Sequence, residues 1–390
     1  DIAYSGYVSR PERLDPDWFL YFLASSDNIG DGKYNIAGYK NSKYDEVVKA
    51  QRQATDINER KKHVFECQNI LSKDLVGILP WQNRQVQVYN NVTFRDITPA
   101  IGLGTYNIWT AIIAQPLTER KTLRFGVTYG PDSTNPLASK IWLEPLRMIY
   151  DTLTRIDLEG NAIPWAAEKI ELVSPTQYKV TLRSRMKFHD GTPVTAEDVK
   201  FSYDFTKQSD VATLASLVKP IKSVVVTGDN TLLFDLDAPY PPIMYTTFQM
   251  VYILPKHIWQ DVVTKHNLKF PQEWPNPEPI GSGPFKWGYH KSGVEVLMKA
   301  NKEHFSPPKS DEFLFVILAN MDAVFLAMKN KVIDFHTDFL SPVRVKEAEG
   351  VNYLKLTQTK DYGFTGFLFN FRKLPAMDYY FRLALAHTFD

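Results

Sequence analysis

The residues of this sequence that could do chemistry are eight histidines, one cysteine, a few close carboxylate pairs and a Gly-x-Gly step. His63, His189, His257, His266, His290, His304, His336 and His387 are nowhere spaced to put two ligands on one helical face, and Cys67 alone cannot build a thiolate site, so no metal is expected. Cys67 shares an apolar stripe with Val64, Ile70 and Leu71 and reads as a small buried hydrophobe, not a nucleophile. Asp15 with Asp17, and Glu197 with Asp198, could share a proton as acid and base. Each pair stands at a helix start, however, where carboxylates complement free N–H groups, and capping is the simpler role. Gly281-Ser282-Gly283 invites a phosphate reading, but no strand-to-helix unit with a third glycine follows it. Neither a Gly-x-Ser-x-Gly elbow nor a Gly-x-x-x-x-Gly-Lys loop occurs, so the expectation is a protein without catalytic residues or cofactor. Asn91-Val92-Thr93 can accept an N-glycan if the protein is extracytoplasmic in a cell with that machinery.

The elements around these residues are written locally. Tyr178, Val180 and Leu182 alternate with Lys179, Thr181 and Arg183, the period-two pattern of a strand with one wet face. Asp190-Gly191 ends that region, since Gly supplies a positive φ and Pro193 cannot donate to a ladder. Thr195, three residues before Asp198, then starts a helix with a capping-box pattern. Similar starts are read at Ser42 with Asp45, at Asp56 with Glu59 and at Asp322, and Asp15-Pro16-Asp17 can begin a further helix. Val224-Val225-Val226, Gly228-Asp229-Asn230 and Thr231-Leu232-Leu233-Phe234 spell a hairpin. Val294 to Met298 and Phe313 to Leu318 read as strands, and a helix through Ala327 and Met328 returns to the sheet at Val332 to Phe335, a βαβ-like unit. The glycines of Gly281-Ser282-Gly283-Pro284-Phe285 suit a crossing segment where backbone comes close to other groups.

Composition bounds the rest. A chain of 390 residues, 44% hydrophobic, has material for two lobes or more. Lys and Arg total 45 against 44 Asp and Glu, so the formal charge of +1 offers no basic field for nucleic acid. The apolar run Ile108 to Ala114 is broken by Thr110 and far too short to span a bilayer. Asp1-Ile2-Ala3-Tyr4 reads as the inside of a strand, so the amino end is expected to be a processed end or the boundary of a piece. The 24 Phe, 20 Tyr and 8 Trp residues are mostly core material, with stacking in a binding cleft as the sharper use.

The run from Ala166-Ala167-Glu168 through Tyr178 to Leu182 and Phe188-His189-Asp190-Gly191-Thr192-Pro193-Val194-Thr195-Ala196-Glu197-Asp198-Val199 resembles the signature of the extracytoplasmic solute-binding proteins of ABC importers, peptide/nickel class. Leu254-Pro255-Lys256-His257-Ile258-Trp259 and Gly281 to Phe285 resemble two further motifs of that family. Lys121 to Val127 with Asp132 to Leu137 looks like its amino-terminal strand and cleft-facing loop, and residues 1–115 resemble its carboxy-terminal part, from an Asp-Pro loop to Asn107-Ile108-Trp109. The carboxy-terminal part therefore precedes the amino-terminal part, and Gly366 to Phe371 with Phe381 to Asp390 resembles the stretch leading out of the first lobe.

The resemblance implies a mixed α/β, type II periplasmic-binding-protein-like fold with its second lobe largely missing. Residues 1–115 and 123–390, joined at 116–122, are expected to pack into one major lobe, either as the end of one tandem copy and the start of the next or as a permuted lobe. The implied function is extracytoplasmic capture of oligopeptides or oligosaccharides in an interlobe cleft for a membrane ABC permease, in the periplasm or on the outer face of the cell membrane. The alternative is an envelope or filament-forming assembly protein built on such a lobe, and exchange of segments between chains is a further way to self-associate. The nickel role of part of the family has no support in these residues. Tyr7, Glu12, Asp17, Trp18, Asn135 and Trp142 are the implied cleft residues, with packing or surface exposure as the alternative for each, a solvated acid above all for Glu12. Asn370 is the implied hinge residue.

Overall fold

The computed structural model describes residues 2–389 apart from 8–9, 32, 82–83, 140–142, 210 and 337–339, so the cleft candidate Trp142 lies outside the described residues. Seven strands form the largest sheet, in the order Phe285–Lys291, Glu295–Ala300, Glu312–Ile317, Thr122–Val127, Phe335–His336, Arg84–Asn90 and Leu354–Lys360. Thr122–Val127 lies at its centre because Leu123, Phe125 and Val127 are all buried. Glu312–Ile317 and Phe335–His336 flank it in parallel, with Phe315 and Phe335 both opposite Phe125. Tyr106 stacks on Phe125 at 4.2 Å, bringing the first third of the chain into the same core. The βαβ-like unit is present, its helix Met321–Lys329 crossing over the central strand. Its cap is Asn320, whose extended backbone lets Oδ1 accept from the Ala323 N–H at 2.9 Å; Asp322 lies inside the first turn.

Asp334 fastens this sheet to the segments before it. Its buried carboxylate accepts from both guanidinium ends of Arg120 at 2.9 and 2.6 Å, from the Thr93 hydroxyl at 2.5 Å and from the Arg124 N–H at 2.8 Å. Its carbonyl accepts from the Asn90 N–H at 2.7 Å. Asn91, the glycan candidate, is exposed in the turn after Arg84–Asn90.

A second sheet is wholly antiparallel, in the order Ile221–Gly228, Thr231–Leu236, Gln177–Leu182 and Ala167–Ser174. Tyr178, Val180, Leu182, Leu232 and Phe234 face a core closed by Val199 and Tyr203 of helix Ala196–Gln208. The capping box is formed: Thr195 Oγ accepts from the Asp198 N–H and Asp198 Oδ2 accepts from the Thr195 N–H at 2.9 Å. Gly281 and Gly283 cross against the backbone of Met148 and Ile149, where a Cβ would stand 2.1 Å from the Ile149 oxygen at residue 281 and 2.5 Å from the Met148 oxygen at residue 283.

A third core is separate from these two. Residues from Val88 to Ala114 do join the large core, whereas Leu20, Tyr39, Tyr44, Val48, Val64 and Cys67 form a core of their own. The cause is the facing apolar stripes of helices Ser42–Gln53 and Ile57–Asp74, which bury each other beside a three-stranded sheet ordered Ile2–Tyr7, Phe364–Phe369, Gly77–Trp81. The first helix is capped by Asn41 and not by Ser42 with Asp45; the Asp45 carboxylate instead accepts from Ser25 and Ser26. Asp56 caps the second helix as the sequence indicates, and Cys67 is fully buried, its thiol pushed up to about 12 chiefly by burial.

Two outcomes follow from these contacts. Gly281→Ala must displace backbone at Ile149, so urea denaturation should show a loss of about 3 kcal/mol; an unchanged midpoint would refute the crossing. His336 is buried and its pKa is pushed down to about 4 by burial. Between pH 6.5 and 4 the unfolded chain takes up a proton at this residue and the folded chain does not, so its neutral form contributes fully above pH 6.5 and the contribution is lost as pH falls. His336→Gln should reduce the fall in stability across that window by up to about 3 kcal/mol, read from thermal denaturation at pH 7 and pH 4.5.

Candidate functional site

Between the third core and the edge of the second lies a groove of ≈ 590 Å³, within the size range of ligand pockets. One wall is Tyr21, Phe22 and Tyr34 with Lys33, Lys49 and Arg52; the other is Tyr240 with Lys219, Pro220 and Asp237. Helix Ser42–Gln53 positions Arg52 one and two turns beyond the buried Val48 and Tyr44, on the face that the helix packs inward. The Arg52 guanidinium sits 3.6 Å from the centre of the Tyr21 ring and 5.0 Å from that of Tyr240, so a cation stacked between two aromatics joins the walls. Asp17 holds that cation from beneath, 3.0 Å from Arg52 Nε. Gln51 Nε2 also donates to Asp17, at 2.6 Å, and Arg60 forks onto neighbouring Asp15 at 2.8 and 2.6 Å. Burial is the largest influence on Asp17 and raises its pKa to about 6, with Arg52 opposing and Asp15 adding to the rise. Asp27 pairs with Lys49 at 3.1 Å and accepts at its carbonyl from Lys33, leaving Lys219 and Asp237 as rim charges on the facing wall.

The implied cleft residues support this groove more than they line it. Trp18 lies in the π-helical turn Trp18–Phe22 and packs its ring on Phe22 and Tyr34, both groove residues, each at 5.1 Å. The Arg13 guanidinium lies over Trp18 and Tyr7 at 5.1 and 5.6 Å, which joins Tyr7 to the aromatic layer behind the groove. Glu12 is not a surface acid: it is buried and pairs with Arg147 at 3.1 Å, while Arg147 also grips Glu144. Asn135 is away from the groove lining. Its Nδ2 donates to the carbonyls of Pro271 and Trp274 at 2.9 and 2.8 Å and its Oδ1 accepts from the Leu137 N–H, so its polar atoms lock two loops together.

Asn370 does not stand where the chain changes unit. The passages between the large and the three-stranded sheets are residues 361–363 and the step from Trp81 to Arg84, whereas Asn370 follows the far end of Phe364–Phe369 and ties Arg372 at 3.0 Å. Tyr21, Tyr34, Arg52 and Tyr240 were not singled out from the sequence. The spacing of Asp17 and Tyr21, one helical turn apart, was the only local signal; nothing in the order of residues brings Tyr240 to Arg52. Among the described residues there is no group of three or more His, Cys, Asp or Glu able to hold a metal, and no helix is long and apolar enough to cross a membrane.

Comparison with known proteins assigns the class. Residues 161–390 match the model of the bacterial extracellular solute-binding proteins, family 5 Middle, and the chain belongs to that family. The oligopeptide-binding protein AppA of Bacillus subtilis is 31% identical over 212 residues, which is 54% of this chain and 38% of AppA. The structure of that AppA in complex with a nonapeptide superposes with a TM-score of 0.52 and 29% identity, covering 59% of this chain and 46% of AppA. An ABC transporter substrate-binding protein, CtaP of Listeria monocytogenes, gives a TM-score of 0.52 at 25% identity, over 60% of this chain and 47% of its own. The chain thus spans less than half the length of these relatives. The mixed α/β fold expected from the signature is the fold these structures share.

The ionic floor of the groove has a pH signature. Asp17 in the folded chain keeps a proton between pH 3.8 and about 6 that the unfolded chain has released, so its effect on stability worsens as pH rises through that window. Asp17→Asn should therefore gain relative to wild type, by up to about 3 kcal/mol, on going from pH 4 to pH 7. Parallel stability profiles for the two proteins would show that Asp17 is charged at both pH values.

Proposed function

We infer that this chain is the ligand-capturing portion of an extracytoplasmic substrate-binding component of an ABC importer, and that the groove around Arg52 takes an oligopeptide. The observation that carries the reading is the groove itself: aromatic faces on both walls, a stacked guanidinium across the floor and unlike charges at the rim suit a chain that is polar along its backbone and apolar at intervals. Membership of a solute-binding family and the nonapeptide held by AppA support a peptide over an oligosaccharide. The site has the character of a binding surface: Asp17 and Arg52 are engaged with each other, and the function is capture and release. In this reading residues 1–115 correspond to the carboxy-terminal part of a family member and 123–390 to the amino-terminal part. The passage at 361–363 is then a place where one unit can swing against the others about the groove. An ABC permease in the membrane is the partner that such a receptor serves.

Native mass spectrometry of the purified chain with an equimolar pool of tri- to nonapeptides tests this. The expected result is a one-chain mass carrying one peptide, with occupancy reduced about tenfold by Tyr21→Ala through loss of the stacking face. A peptide-free ladder of oligomers would instead support an assembly protein or segment exchange, and retained oligosaccharide with no peptide adduct would overturn the peptide assignment.

A further inference from the structure

A second cavity, of ≈ 420 Å³, lies away from the groove, against the signature stretch itself. Residues 184–191 form one side and the loop carrying Asn301, His304 and Phe305 forms the other, with Ser282 and Lys286 between. Most polar atoms here are already committed. His189 Nδ1 accepts from the Gly281 N–H at 3.3 Å, which puts its proton on Nε2, facing the Gly283 carbonyl at 3.0 Å. Burial, the main influence, pushes its pKa down to about 4, so the ring is neutral. His304 Nδ1 accepts from the Ser306 N–H at 3.0 Å, and its Nε2 donates to Asp151 at 3.3 Å. Ser282 donates to the same carboxylate at 2.9 Å, and the Asn301 amide donates to Gly283. Asp190 is turned to His257 at 2.8 Å.

What remains is positive. Lys286 is only partly exposed and its ammonium meets a single carbonyl, that of His189, at 3.4 Å. Among the described residues no carboxylate forms an ion pair with Lys286 or with Arg185. Lys187 stands at the rim, loosely paired with Glu303 at 3.7 Å. Met186 and Phe188 of the lining are buried, and its exposed apolar side chain is Phe305, backed by the Arg183 guanidinium 4.8 Å from its ring and by Trp165 at 4.9 Å. A cation with unused donors beside a rigidly backed aromatic face is complementary to one kind of small molecule.

We propose that this cavity is a second ligand site, distinct from the groove, for a small aromatic carboxylate whose anionic end pairs with Lys286 and whose ring packs on Phe305. The ligand would bridge residues 184–191 of the second core's unit and the 282–305 segment, which carries two strands of the large sheet, and so stabilise the joint between them.

Isothermal titration of the full chain with benzoate, acetate and inorganic phosphate is the test. Saturable benzoate binding is expected, weaker for acetate, and lowered about tenfold or more by Lys286→Gln and to a lesser extent by Phe305→Ala. In the wild-type protein, independently of any variant, a nuclear Overhauser contact should appear between the benzoate ring and Phe305. Peptide occupancy in the groove should be unchanged by benzoate. No saturable benzoate signal, benzoate binding unaltered by Lys286→Gln, or phosphate binding that benzoate does not displace would each overturn the assignment.

Discussion

One buried carboxylate, Asp334, holds together parts of the chain that lie far apart in sequence. It collects Thr93 from the first third, Arg120 from the connecting stretch and the Arg124 N–H from the central strand, and it immediately precedes the short strand Phe335–His336. Buried carboxylates are costly unless every lone pair is met, and here four donors meet two oxygens. Removing a partner would leave an uncompensated charge under the large sheet. The arrangement therefore makes the packing of Arg84–Asn90 beside Phe335–His336 conditional on the sequence from 93 to 124 taking one path.

A second ionic layer, Asp15, Asp17, Arg52 and Arg60, plays the same part for the third core. It differs in one respect: the third core's helices are self-sufficient in apolar contact, and their ties to the second unit run through Arg52 and Tyr240, which also line the groove. A single cation–aromatic contact is worth less than a packed apolar interface. The groove is thus placed where two well-packed units meet over a weak contact, the setting in which a ligand can shift one unit relative to the other at small cost.

What could be read from residues alone was whatever is decided within a few positions. The strand Gln177–Leu182, the turn at Asp190-Gly191 and the Thr195 to Asp198 box depend on period, φ and one hydroxyl, and all are present. The close crossing at Gly281 and Gly283 was legible for the same reason, since absence of a side chain is itself the signal. Helix starts slipped by one or two residues at Asn41 and Asn320, because an asparagine just upstream competes for the same N–H. Glu12 looked like a surface acid because its partner Arg147 is 135 residues away, and no periodicity announces such a pair. Asn370 was carried over from a resemblance, but a strand's role depends on which sheet it joins, and pairing with both Ile2–Tyr7 and Gly77–Trp81 could not be read from its sequence. The groove was hidden for a similar reason: its supports Asp17 and Trp18 carried a signal, while its lining was assembled from stretches near 21–53 and 216–240.

The most direct test of the account is hydrogen exchange of the purified chain, followed by mass spectrometry, with and without a saturating peptide selected from the tri- to nonapeptide pool. Capture in the groove predicts slowed exchange in two separated stretches, residues 21–53 and 216–240, with the large sheet around Thr122–Val127 unchanged. Protection confined to other surfaces, or no protection at saturating peptide, would contradict it.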